Sequence, residues 1–69
     1  MIYKLTKKRT FTLDTNETPM VLMWEGDLVK IDGADVYIQE LQTERWHLTI
    51  DMVTEHLMDA LEEDDSYTE

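Results

Sequence analysis

Between residues 2 and 13 the apolar side chains Tyr3, Leu5, Phe11 and Leu13 occupy odd positions, while Ile2, Lys4, Thr6, Lys8, Thr10 and Thr12 hold the even ones. A period of two is the signature of a half-buried strand. No Gly, Pro, Asn or Asp interrupts the run, so the spacing predicts one long strand, bulged near residues 7–9, rather than a hairpin turning there. Residues 14–19, Asp-Thr-Asn-Glu-Thr-Pro, follow as a loop rich in side chains that bond their own backbone, with the proline biasing Thr18 toward extended geometry.

Three apolar runs come next, at residues 20–24, 28–31 and 36–41, separated by Glu25-Gly26-Asp27 and by Asp32-Gly33. Short strand-forming runs divided by turn formers predict a β-meander. The first run is apolar without alternation, which predicts a central strand covered on both faces by a curled sheet or a partner subunit. The second places Val29 and Ile31 on one face. In the third, Val36 and Ile38 oppose Tyr37, Gln39 and Leu41. Residues 45–50 alternate again, with Trp46, Leu48 and Ile50 set against Arg45, His47 and Thr49. This is a fifth strand, and its pattern assigns His47 to the polar face.

The period then changes. Ile50, Val53, Leu57, Ala60 and Leu61 recur at three-and-four spacing with Met58 beside them, and Thr49 is a natural N-cap ahead of Asp51. The spacing predicts an amphipathic helix over residues 50–63, laid on the sheet. The expected fold is α+β: a small antiparallel β-meander of four to five strands, twisted or barrel-like, covered by one C-terminal amphipathic helix. Residues 1–63 make one domain on this reading, and residues 64–69 an acidic tail with nothing to bury.

Composition adjusts this picture in two ways. A chain of 69 residues with no cysteine has no disulfide to staple a thin core, so packing or self-association must supply the stability, and a homodimer is compatible with that. The start of the chain runs straight into charged residues and no apolar run approaches membrane length, which predicts a soluble, cytoplasmic protein.

Charge changes it more. The net charge is −10, and residues 1–13 hold Lys4, Lys7, Lys8 and Arg9 without an acid, whereas residues 14–69 hold all 16 acids against Lys30 and Arg45. Direct nucleic-acid binding is disfavoured because phosphate contacts need clustered Lys and Arg, and anionic membranes are disfavoured likewise. The basic segment reads first as a solvated strand edge whose lysines discourage edge-to-edge pairing. A phosphate contact is its other reading.

Catalytic chemistry has little to work with. There is no cysteine, one serine in the tail, no glycine-rich phosphate loop, and the histidines His47 and His56 stand in no nucleophile or metal spacing. Asp14, Asn16 and Glu17 lack the glycine and distant glutamate of a calcium loop. The expectation is a non-enzyme with no cofactor and no metal.

What remains is the acidic C-terminal segment. On a helix, Asp51, Glu55 and Asp59 recur every fourth residue and continue into Glu62, Glu63, Asp64 and Asp65. Such a row is unfavourable by about 0.2–0.5 kcal/mol per like-charged pair and ends in acids at the negative end of the helix dipole. Helix stability therefore does not account for it; solubility or recognition does. As recognition, it offers a cationic groove regularly spaced anions, about 6 Å apart against about 1.7 Å of axis per charge on duplex DNA. Asp32, Asp35, Glu40 and Glu44 of the meander extend the set if they share its face. In size and charge the chain is similar to the small acidic phage products that block nucleic-acid-binding enzymes, the anti-restriction and anti-CRISPR inhibitors, a resemblance of composition that transfers no residues. The expected function is a non-catalytic inhibitor or regulator that occupies the basic nucleic-acid-binding site of a partner protein. The alternative is a homo-oligomeric or adaptor module held through Trp24, the methionines and strand edges.

Overall fold

The computed structural model describes residues 1–64. The chain forms β1 (Ile2–Leu5), β2 (Arg9–Thr12), β3 (Met20–Met23), β4 (Leu28–Asp32), β5 (Asp35–Gln39), β6 (Trp46–Leu48), a single helical turn α1 (Glu55–Met58) and β7 (Leu61–Glu63). Five strands make an antiparallel sheet in the order β6-β5-β4-β1-β7, and β2 and β3 make a separate two-stranded ribbon. A bridge between Leu13 and Thr49 ties the ribbon to the end of β6, and the two sheets share one core. Leu5, Val29, Val36 and Ile38 of the sheet, Phe11 and Met23 of the ribbon, and Leu57 and Ala60 around α1 fill that core.

The long first strand is broken. At residues 6–8 the chain leaves the sheet, where β1 lies between β4 and β7, and enters the ribbon. The odd-position pattern survives because Leu5 and Phe11 face the same core from two different layers. Lys4 consequently sits on a central strand and guards no edge. The meander holds for β4, β5 and β6, but β3 pairs with β2 and not with β4. Asp27 makes the difference: its N–H donates to the Trp24 carbonyl and its carboxylate accepts the Trp24 N–H at 2.8 Å, forming a turn that diverts the chain between layers.

The tight turn at Asp32-Gly33-Ala34-Asp35 is where glycine is required. Asp32 and Asp35 are paired, leaving a two-residue loop with Gly33 at φ +63 in its first position, the arrangement of a type II′ hairpin. A Cβ there meets nothing within 4 Å, so the penalty for any other residue is the backbone's alone. Gly33→Ala is expected to cost about 1 kcal/mol, read as a lower urea midpoint at an unchanged m value. Thr18, expected to be extended, has φ +42 instead. The hairpin tip returns within four residues, with Thr18 N–H donating to Thr15 and Leu13 N–H to Pro19, and that closure overrides the preference of a residue before proline.

Two strands present faces other than those their patterns suggest. In β3 only Val21 and Met23 turn inward; Met20 and Trp24 are 74% and 57% exposed, and Leu22 is exposed beside them. The outer face of this run is open rather than covered. In β6 the alternation is inverted: His47 is opposite Ile38 and Thr49 is buried, while Trp46 and Leu48 lie on the outer face and Ile50 is exposed. The Thr49 hydroxyl donates to the Val36 carbonyl at 2.9 Å, satisfying in the interior a group that the pattern assigns to water.

The predicted helix over residues 50–63 is reduced to one turn. Residues 50–54 are irregular, Thr54 caps α1 by accepting the Leu57 N–H, and residues 61–63 are a strand on β1. Leu57 and Ala60 reach the core, but Ile50 and Val53 of the same periodic stripe are exposed. The open edge of β1 decides this: pairing Leu61, Glu62 and Glu63 with Leu5, Lys4 and Tyr3 satisfies the backbone groups on the edge that β4 leaves free, and three residues of helix propensity cannot compete.

Candidate functional site

The residues expected to form an acidic helical row fall on three different kinds of backbone. Asp51 is half-buried in the irregular segment, where its carboxylate accepts the Thr12 N–H at 3.0 Å. Glu55 opens α1 and Asp59 closes it as the C-cap, both exposed and still four residues apart. Glu62 and Glu63 are exposed on β7 opposite Lys4 and Tyr3, and half-buried Asp64 donates its N–H to the Ile2 carbonyl at 3.2 Å. Asp64 is thus attached to the sheet rather than starting a tail; Asp65 and the rest of that expected tail lie outside the described residues. A regular ladder of charges on a helical rod is replaced by acids grouped by topology.

The registers determine that grouping. Ile31 N–H donates to Met1, Asp32 faces Asp35, Thr49 N–H donates to Val36, and Asp14 N–H donates to Leu48. On the other side of β1, Glu63 faces Tyr3 and Asp64 bonds Ile2. Asp14, Asp32, Asp35, Glu63 and Asp64 are therefore at one end of the sheet, with Glu17 in the adjoining hairpin loop. The positive group there is the Met1 amine, which donates to the Ile31 carbonyl. Lys7, Lys8 and Arg9 stand at the other end, where β2 begins, and Arg45 where β6 begins, intermixed with Glu25, Asp27, Glu40 and Glu44.

Several cations are held on rings. Lys8 lies 5.4 Å from the Trp24 centroid, Arg9 5.6 Å from Phe11, and Lys30 4.8 Å from Tyr37 and 5.1 Å from Trp46. A cation over an aromatic face keeps its charge but is fixed away from the carboxylates it would otherwise screen. Arg9 also brings Nη1 to 3.4 Å from His56 Nδ1, while its Nε is buried without a hydrogen-bond partner among the described residues.

Beside the acidic end's opposite pole lies an open cleft of about 470 Å³ between β3 and the end of β5, lined by Val21, Leu22, Met23 and Trp24 on one side and by Ile38, Leu41 and His47 on the other. Two carboxylates, Asp27 and Glu40, line it, and no lysine or arginine does. Glu40 accepts the Thr43 hydroxyl at 2.7 Å and approaches His47 Nε2 at 3.4 Å. The Thr43 bond first, and His47 second, hold its carboxyl below the ordinary value of 4.5. A depressed carboxyl stabilises the fold above the unfolded pKa and loses that contribution as pH falls through the folded value, so Glu40 favours the native state from neutral pH down to about 4.5 and weakens below it. A carboxyl-detected NMR titration is expected to place Glu40 below a glutamate in an unfolded peptide, and Thr43→Val to return it most of the way.

Sequence reasoning singled out Trp24, Met20 and Met23 as a contact surface but assigned them to the core; the structure divides them, with Met23 inside and the other two exposed. The cleft itself was invisible, because it is formed by segments about 17 residues apart in the chain that share no pattern. Its available signal was the pair of hydrophobic residues Leu22 and Leu41 in runs already rich in inward-facing neighbours. Among the described residues no group of three or more His, Asp or Glu side chains is arranged to hold a metal ion, and no helix is long and apolar enough to cross a membrane. Comparison with protein-family models, with curated proteins and with solved structures finds no match to this chain.

Proposed function

We propose that this protein is a small, non-catalytic binding protein that inhibits or regulates a basic, nucleic-acid-binding partner by occupying its cationic site. The observation that carries the reading is an end of one sign: Asp14, Glu17, Asp32, Asp35, Glu63 and Asp64 stand together at one end of the sheet, whereas at the other Lys7, Lys8, Arg9 and Arg45 are intermixed with Glu25, Asp27, Glu40 and Glu44, and Lys30 is held on aromatic rings. Asp32 directly opposite Asp35 is a like-charge pair that costs stability, about 0.2–1 kcal/mol, which folding alone gives no reason to keep. An end of one sign attracts a cationic groove from a distance and speeds encounter. The contact surface is the turns at this end rather than one helical row, since Glu55 and Asp59 lie toward the other end, where Ala60 accepts the Thr6 N–H and His56 meets Arg9.

Salt tests it. Affinity capture on the immobilised protein from nuclease-treated host lysate is expected to retain nucleic-acid-binding proteins at low ionic strength, and to release them with added duplex DNA or with 1 M salt, where the Debye length falls from about 10 Å at 0.1 M to about 3 Å. Partners that persist at 1 M salt and ignore DNA would instead favour an adaptor held by apolar contact. Reversing Asp14, Asp32 and Asp35 to lysine is expected to abolish the salt-labile retention while leaving the core spectrum unchanged.

A further inference from the structure

Leu13 N–H donates to the Pro19 carbonyl, which identifies the odd-numbered residues of β2 and β3 as the hydrogen-bonded pairs of the ribbon. Thr10 and Thr12 therefore turn their backbone groups away from β3, and Thr12 shows it: its carbonyl accepts the Ile50 N–H and its N–H is taken by Asp51. By the same geometry Met20 and Leu22 aim their N–H and C=O groups away from β2. Among the described residues no hydrogen-bond partner meets them there. Three consecutive residues of β3, Val21, Leu22 and Met23, and the adjoining Trp24 line the cleft. Successive side chains leave opposite faces of a strand, so only the strand's edge can present all four to one space.

We propose that this edge takes an extended segment of a partner protein, alternating apolar residues with lysine or arginine, as an added antiparallel or parallel strand. Backbone bonds to Met20 and Leu22 hold it, and its apolar side chains enter the cleft toward Ile38 and Leu41. The proposal rests on the reading that the partner is basic, and charge on the page selects this occupant: Asp27 and Glu40 line the cleft with no lysine or arginine, and a second copy of a chain carrying −10 is repelled where a cationic segment is drawn in. An unpaired, apolar edge strand is otherwise an aggregation hazard that proteins blunt.

Amide hydrogen exchange on the intact protein tests it, using the synthetic peptide Lys-Val-Lys-Val-Lys-Val-Lys and its counterpart with glutamate in place of lysine. Saturating lysine peptide is expected to slow exchange at the Met20 and Leu22 N–H groups at least tenfold, and the glutamate peptide to leave them unchanged. Leu41→Lys, at an exposed position that leaves the core intact, is expected to weaken the lysine peptide at least tenfold. Equal slowing by both peptides, or slowing that rises with protein concentration before any peptide is added, overturns the proposal, the latter by assigning the edge to a second copy. Binding of the lysine peptide without slowing at these two amides also overturns it, yet leaves a basic partner at the acidic end standing. Loss of the salt-labile, DNA-competed capture removes that broader reading instead.

Discussion

Phe11→Ala is expected to destabilise the protein by about 3–5 kcal/mol, which is most of what a 69-residue chain has to lose. Phe11 is fully buried, and it is the largest side chain that the ribbon contributes to a core otherwise built from the sheet and α1. Removing it loses the transfer free energy of the ring and its place in the core cluster that also holds Leu5, Val29 and Leu57, in a domain too small to collapse around the void. The guanidinium of Arg9 loses its ring at the same time. Urea denaturation is expected to show a largely unfolded population in buffer. Met52→Ser, at a side chain 75% exposed, is the comparison and is expected to change stability by no more than about 0.5 kcal/mol. Similar effects at the two positions would mean that the ribbon does not close the core.

Asp51→Lys is expected to cost about 1–3 kcal/mol, whereas Asp59→Lys stays within about 0.5 kcal/mol. On a uniform acidic helix the two substitutions are equivalent and both relieve repulsion. In the fold they are not: the Asp51 carboxylate is the acceptor for the Thr12 N–H, a half-buried donor that faces away from β3. Lysine leaves that donor unsatisfied and brings a second donor beside it. The Asp59 carboxylate is exposed at a C-cap, whose backbone N–H bonds are made regardless of the side chain. Equilibrium unfolding of the two variants, with the Thr12 amide shift as the local reporter, separates the cases. Equal melting behaviour would return Asp51 to the exposed acidic set.

This pair of variants shows how far a sequence pattern reaches. The acidic residues and their number were legible, as was the absence of lysine among them. Their spatial grouping was not, because it depends on whether residues 50–63 pair with β1 or coil on themselves, and the spacing of Leu57 and Ala60 is the same in the chain whichever is chosen. For Trp46, Leu48 and Ile50 the period correctly gave a strand but could not say which face is inside; a shift of one residue exchanges every side chain between faces, and the Thr49 bond to Val36 decides it.

By itself the sequence determined the local backbone in outline: extended chain within residues 2–13, 20–24, 28–31, 36–41 and 45–50, the glycine turn at Gly33, and helical spacing around Leu57, since period and turn chemistry act between near neighbours. It determined the charge imbalance outright. Only the tertiary structure decided that residues 2–13 serve two layers, that β3 lies beside β2 with one edge open, that β7 replaces the last turns of a helix, and that Asp14, Asp32, Asp35, Glu63 and Asp64 share one end. These are choices between pairings of similar local quality, settled by which arrangement satisfies the most backbone hydrogen bonds while enclosing Phe11, Val29, Val36 and Leu57 together. Such a choice sums over contacts distant in the chain, and no window of neighbouring residues contains it.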